Sequence, residues 1–297
     1  MESRRIIKVG ERSYGVTLPK RWVELHGLRV GSPVKIIVDR DKLMILPGAE
    51  ASGPRKARIS EDDVEKLVRD VIAYYIEGVD ELEIETKSTS ALVTKIEGKL
   101  PGVVLMEMGG MLKLRIVTKE DIDINEAVRS MYTTVDAMFN LFIQMVAEGR
   151  RDLAEEILRL DDQIDRLYFF SLRTVKRNIG QKPEHYVDYV ITIKNLEHVG
   201  DAIDRATNYY LQKEVECVDK VLDIFKRVYE YLKDAFDAFY SNDVDKALRV
   251  LVKRAELANA TLQVGCAGAT AMMHEAASIV GFAADIAEAA YSKAKRQ

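Results

Sequence analysis

The chain has 297 residues, 44 Lys+Arg against 48 Asp+Glu, a formal charge of −4, and 47% hydrophobic and 31% charged residues. That is a soluble globular composition, long enough for two or three domains and a substantial core. No stretch reaches 18 uncharged apolar residues, so no membrane insertion is expected.

The first 46 residues alternate strand and turn. Arg4-Arg5-Ile6-Ile7-Lys8-Val9-Gly10 and Tyr14 to Leu18 read as strands, Lys20 to Leu25 as a one-turn helix, and Val34 to Val38 and Leu43 to Leu46 as two further strands around an Asp39-Arg40-Asp41 turn. Through Arg58 there are 13 Lys+Arg and 6 Asp+Glu, a surplus of 7, so residues 59–297 carry −11. A small basic β module on a large acidic body suggests a nucleic-acid grip attached to a sensor or docking domain. Arg4, Arg5, Lys8, Arg12, Lys20 and Arg21 are the candidate DNA contacts. Period-2 alternation keeps Arg4 and Arg5 on opposite faces, and contacts to guanine and to phosphate both remain open. The same residues also suit an ordinary solvated face. Trp22, among Val23 and Leu25, is expected as a core anchor.

Residues 48–59, with Gly48, Ser52, Gly53 and Pro54, read as a linker. A small α/β spacer follows over 60–120. Ser60-Glu61-Asp62-Asp63 caps a helix running to about Glu77, then come a strand (81–86), a helix (89–98) and strands 103–108 and 112–117 joined at Gly109-Gly110.

From Ile124 the apolar period becomes helical, with Met131, Val135, Met138, Phe142 and Met145 in register. Six helices are predicted, at 125–148, 152–179, 185–211, 215–240, 243–265 and 270–294. Short connections imply antiparallel neighbours. A faint 93-residue repeat divides them into two three-helix bundles, 121–212 and 213–297. The fold class is therefore multidomain α+β: an N-terminal β module (1–47), the spacer, and an all-α pair of bundles.

Asp161 and Asp165 stand four apart in the second of these helices, Glu197 and Asp201 four apart in the third. That spacing puts each pair on one face. Each pair lies about 18 residues from the Gly180–Pro183 turn, so both sit roughly 27 Å from it, at one level on adjacent helices. Ile157, Ile164 and Tyr168 border the first pair, Ile193 and Leu196 the second. Four acids so placed repel unless protonated or bridged by a cation. Magnesium suits oxygen ligands, and iron or zinc would also recruit His198. Isolated pairs of this kind equally decorate solvated helix faces. In the second bundle Arg254 and Ala258 take the places of Asp161 and Asp165, and Ala277 and Gly281 those of Glu197 and Asp201. A metal is therefore expected on the first bundle only. Arg254 is read as an anion site or as a partner for nearby acids.

Cys217 and Cys266 have neither metal nor redox spacing and fit a reducing cytosol. No nucleophile has a recognisable base, and Gly265-Cys266-Ala267-Gly268 lacks the Lys and strand context of a phosphate loop. An enzyme is not expected.

Asp161-Asp162-Gln163-Ile164-Asp165 and Asn195-Leu196-Glu197-His198-Val199-Gly200-Asp201 resemble the paired acidic motifs of the PhoU family of phosphate-uptake regulators, with His198 where the family commonly has Arg. The resemblance implies multinuclear metal binding, often iron, by Asp161, Asp165, Glu197 and Asp201. Val16-Thr17-Leu18-Pro19-Lys20, Gly27-Leu28 and Gly31-Ser32-Pro33-Val34 resemble the AbrB/SpoVT swapped-hairpin DNA-binding module, which implies an interleaved homodimer. Residues 60–120 resemble the spacer of archaeal-type PhoU proteins bearing that module. Together these imply a cytoplasmic, DNA-binding transcriptional regulator of phosphate uptake with DNA and a second copy as partners. The alternative is an adaptor that does not bind DNA and acts on phosphate-transporter components or a signalling kinase.

Overall fold

The computed structural model describes residues 3–39, 42–48, 54–109, 111–117, 123–180 and 183–296. It is multidomain α+β and divides into two compact units, Met1–Arg55 and Lys56–Gln297.

The first unit holds two separate antiparallel hairpins. Strand β1 (Ile7–Val9) pairs with β2 (Ser13–Gly15), and β3 (Val34–Asp39) with β4 (Lys42–Pro47). Helix α1 (Lys20–Leu25) lies between them in the chain. Its first turn forms behind Pro19, whose fixed φ of −61° pre-sets the entry. Trp22 is only half-buried and meets the His26 ring at 5.0 Å rather than anchoring a core. Residues 40 and 41 of the expected turn lie outside the described residues.

In the second unit a four-stranded sheet runs β5-β6-β8-β7, from β5 (Lys56–Ser60), β6 (Glu81–Glu85), β7 (Val103–Met108) and β8 (Met111–Ile116). β5 and β6 are parallel, and the other pairings are antiparallel. The segment read as linker thus contributes a strand. Ala57 and Ile59 turn inward while Lys56, Arg58 and Ser60 face out, a period-2 pattern hidden by the preceding Gly53-Pro54. Helix α2 (Val64–Ile76), capped by Asp63, and α3 (Thr89–Glu97) cover one face of the sheet. Their Leu67, Val71, Tyr75, Leu92 and Ile96 close a core on Leu82, Ile84, Leu112 and Leu114. Gly110 of the expected hairpin turn is outside the described residues.

The helical body follows as α4 (Ile124–Glu148), α5 (Ala154–Asn178) after a 3-10 turn at Arg151–Leu153, α6 (Pro183–Gln212), α7 (Val218–Ser241), α8 (Val244–Leu262) and α9 (Thr270–Lys295). Gly149 (φ 66°) ends α4 and Asn242 (φ 57°) ends α7, both left-handed stops. Residues 181 and 182 of the expected Gly180–Pro183 turn lie outside the described residues. The two helical triplets share one continuous apolar core, because α9 packs against α6 as well as α7 and α8.

The cysteine reading is corrected. Cys217 and Cys266 form a disulfide, with Cα atoms 6.2 Å apart and a sequence separation of 49. Sequence spacing cannot reveal this pair, because the α6–α7 junction and the α8–α9 loop meet only in three dimensions. They meet closely: the Glu216 amide bonds to the Ala267 carbonyl, and a side chain at Gly268 would run into the Glu214 carbonyl.

The spacer is fixed to α5 by charge. Arg173 is almost wholly buried, donating from Nη1 to the Tyr75 and Val79 carbonyls and from Nη2 to Asp80 Oδ1, each at 2.8 Å. Arg177 bonds the same carboxylate, and Lys176 reaches Glu77 at 2.7 Å. Phe169 of α5 packs against the spacer core. Helix α5 therefore bridges both cores of the unit.

Candidate functional site

Helices α5 and α6 close on each other at Gly200. A Cβ there would stand 2.9 Å from Ile164 Cδ1 and 3.4 Å from Asp161 Oδ1. This approach sets the Asp161/Asp165 face against the Glu197/Asp201 face, beside the buried Ile157, Ile164, Ile193 and Leu196. The level inferred from helix counting therefore brings the two pairs together.

The electrostatics follow from that packing. The Asp161 carboxyl is pushed up to about 7, first by burial and then by Asp204, Asp165, Asp201 and Asp162. Asp165 is raised by burial, opposed by Lys99 of the spacer, with Glu197 and Asp201 adding to the rise. Asp204 is raised by burial and by Asp201, although the Asn208 amide donates to it at 3.1 Å. Carboxyls raised in this way are short of counter-charge.

Glu197 and Asp201 are partly answered by cations. Lys194 Nζ donates to Glu197 Oε2 at 2.8 Å while its ammonium lies 4.9 Å over the Tyr168 ring. Arg205 stands 3.5 Å from Asp201 and donates to Glu275 of α9 at 3.0 Å. His198 is 3.6 Å from Glu197, and its ring packs 4.9 Å from Phe282 of α9. The two helices thus gather carboxylate oxygens, the ligand type that hard cations take. Among the described residues no three His, Cys, Asp or Glu side chains stand as one ready ligand group. Arg254 pairs with Glu288 at 3.8 Å, the acid-partner alternative.

Sequence reasoning missed Asp204, Lys99 and Glu275. Asp204 was findable, since it lies three residues after Asp201 on the same face. Lys99 and Glu275 reach the site only through tertiary packing.

In the N-terminal unit Arg5, Lys8, Arg12, Lys20 and Arg21 are exposed, as is Arg4. Lys8 lies directly across β1–β2 from exposed Tyr14, and Arg12 is in the turn of the same hairpin. Lys20 and Arg21 open α1, with Lys20 3.7 Å from Glu24. Two-stranded ribbons are marginal on their own. Among the described residues of this unit none is buried, and Ile6, Ile7, Val9, Tyr14, Ile36, Val38 and Leu43 are all exposed.

No helix among the described residues is long and apolar enough to cross a membrane. Compared with known proteins, no curated protein and no solved structure matches the chain. Family models match two segments. Residues 128–209, nearly all of α4–α6, match the PhoU domain, and residues 7–53, spanning both hairpins, match antidote-toxin recognition MazE, bacterial antitoxin. The chain thus carries a segment similar to the PhoU domain, preceded in sequence by one similar to the MazE antitoxin module.

Proposed function

We propose that this protein is a dimeric, DNA-binding transcriptional regulator of phosphate uptake whose helical body carries the sensing function. The observation that carries the reading is the coreless N-terminal unit. Among its described residues many apolar side chains are exposed and none is buried, the two hairpins do not pair with each other, and the exposed edge is basic. A second copy interleaving its hairpins would bury that surface and extend both ribbons, as the match to the MazE family supports. The Arg5, Lys8, Arg12 and Arg21 charges would then be displayed twice, for two DNA half-sites. Both matched domains belong to regulatory families, and the chain is read as a regulator, not an enzyme, working in the cytoplasm.

The PhoU match over α4–α6 supports a role in phosphate homeostasis. The α5–α6 acids are read as a cation site. Asp161, Asp165, Asp201 and Asp204, with Glu197 released from Lys194, would hold the ion, which would supply the positive charge their repulsion calls for. Iron, zinc and magnesium are the candidates. Because α5 also carries Arg173 and Arg177 into the spacer, a change in α5 packing would reach the sheet directly.

The test is recovery and sequencing of genomic DNA bound by the purified protein beside an Arg5→Ala/Arg12→Ala double variant. A shared sequence upstream of phosphate-transport genes, lost in the variant, is the expected result. Sequence-blind recovery, or none, would overturn it in favour of an adaptor acting by contact with a transporter component or a kinase.

A further inference from the structure

The outer groove between α7 and α8 has a volume of about 460 Å³, within the range of small-molecule sites. Its apolar lining is formed by Tyr231, Val250 and Leu257, all nearly buried, with the Tyr231 hydroxyl donating to the Val250 carbonyl at 2.9 Å. That hydrogen bond satisfies the tyrosine internally and fixes the apolar surface in place.

The charges above it are unbalanced. Lys226, Arg227, Lys246, Arg249 and Lys253 line the groove against Glu230, Asp234 and Glu256. Lys246 is engaged, 3.3 Å from Asp237 and 3.9 Å from Asp234, and Glu230 is engaged by Lys233 at 3.2 Å. Lys226, Arg227, Arg249 and Lys253 form no ion pair among the described residues. Four cations without an ion pair, two from each helix, thus outnumber the Asp234 and Glu256 carboxylates beside them in one pocket on an otherwise acidic body. Solvated surface cations are normally interspersed with acids that pair with them, as Lys233 is with Glu230 and Arg254 with Glu288. Cations gathered on two walls above an apolar surface match a molecule with a compact anionic end and an apolar body.

We propose that the α7–α8 groove binds a small organic phosphate, of the nucleoside di- or triphosphate class, with Lys226, Arg227, Arg249 and Lys253 holding the phosphates and Val250 and Leu257 underlying the rest. The groove lies in the second helical triplet, outside the α5–α6 acid site and outside the segment matched by the PhoU model. It would give the body an input distinct from the cation site. Guanidinium groups suit phosphate oxygens in bidentate fashion, so Arg227 and Arg249 are the principal contacts.

Equilibrium dialysis of the full-length protein with ATP, ADP, AMP and inorganic phosphate tests this. Saturable one-to-one binding of ATP or ADP is expected, weaker for AMP and weakest for inorganic phosphate. Arg249→Gln/Lys253→Gln should weaken it by about tenfold or more. The exposed Arg159→Gln, on α5 and paired with Glu156, should leave it unchanged. Arg5→Ala/Arg12→Ala should also leave it unchanged, which separates the groove from the basic N-terminal unit. Loss of binding in that N-terminal variant, equal affinity in the groove variant, or no saturable binding at about 1 mM nucleotide would each overturn the proposal.

Discussion

A Cβ placed on Gly200 would lie 2.9 Å from Ile164 Cδ1, closer than real Cβ contacts come, and 3.4 Å from Asp161 Oδ1, so the absence of a side chain at Gly200 is what lets α6 seat against Ile164 and the acid pair of α5. Substitution should report that seating. Gly200→Ala recovers about 1 kcal/mol of helix propensity and offsets part of the crowding against Ile164. Gly200→Val recovers less and must displace Ile164, which is buried to 1% exposure. We expect Gly200→Val to cost about 1–3 kcal/mol in denaturant unfolding and Gly200→Ala distinctly less. Equal effects would mean that the helices do not approach at this point.

The raised acids predict the pH dependence of the body. A carboxyl whose native pKa is above its ordinary value holds its proton more tightly when folded. Its contribution to stability is present at low pH and is lost as pH rises. For Asp161 the window runs from the ordinary 3.8 to about 7, and Asp165 and Asp204 shift in the same direction. Asp161→Asn should therefore stabilise the metal-free protein at pH about 8 and flatten the fall across that window. Adding Mg²⁺ or Fe²⁺ should raise the melting temperature of the wild type at that pH and that of Asp161→Asn less. A wild-type profile that rises through the window would contradict the arrangement.

Asp80 is the counter-charge of a nearly buried cation, since Arg173 is 2% exposed. Removing one partner of such a pair strands the other. Asp80→Ala should cost about 3–5 kcal/mol, and Asp80→Ala/Arg173→Met should recover part of that loss. Denaturant unfolding followed separately by spacer and helical probes should show both moving together, because α5 belongs to both cores.

Much of this was legible because periodicity reports burial directly. The six long helices fell within a few residues of their predicted ends, since Met131, Val135, Met138 and Phe142 could only form one apolar face. The convergence of Asp161 with the α6 pair was legible because rise per residue converts sequence distance into level. What escaped needed information that no local window holds. The strand Lys56–Ser60 was masked by its Gly-Pro neighbourhood, although Ala57 and Ile59 alternate correctly. Lys99 and Glu275 approach the acids from other elements, and the partnership of Cys217 with Cys266 depends on two loops meeting.

That disulfide closes a loop with a sequence separation of 49 that contains α7 and α8. Chain-entropy reasoning gives such a crosslink an upper value of about 4 kcal/mol. Cys217→Ser should lower stability by about 2–4 kcal/mol. It should leave the α-helical signal intact, because the Gly268–Glu214 approach still holds the loops together. The wild type in reductant should match the variant. A variant as stable as the oxidised wild type would show that the crosslink constrains nothing.

The exposed apolar ribbons of the N-terminal unit tie its order to concentration. If two copies complete the module, its unfolding should shift to lower temperature on dilution while the helical body, with its own core, melts independently of concentration. DNA affinity should follow the same dimer equilibrium. Each phosphate contact supplied by Arg5, Lys8 or Arg12 contributes about 0.9 to the slope of log affinity against log salt, and a dimer presents every contact twice. Arg5→Ala/Arg12→Ala should therefore flatten the slope by up to about 3.6, whereas Lys20→Ala, whose charge is shared with Glu24, should flatten it less than one fully engaged contact per copy. An unchanged slope in the double variant would remove the β1–β2 hairpin from the DNA interface and leave it a dimerisation element.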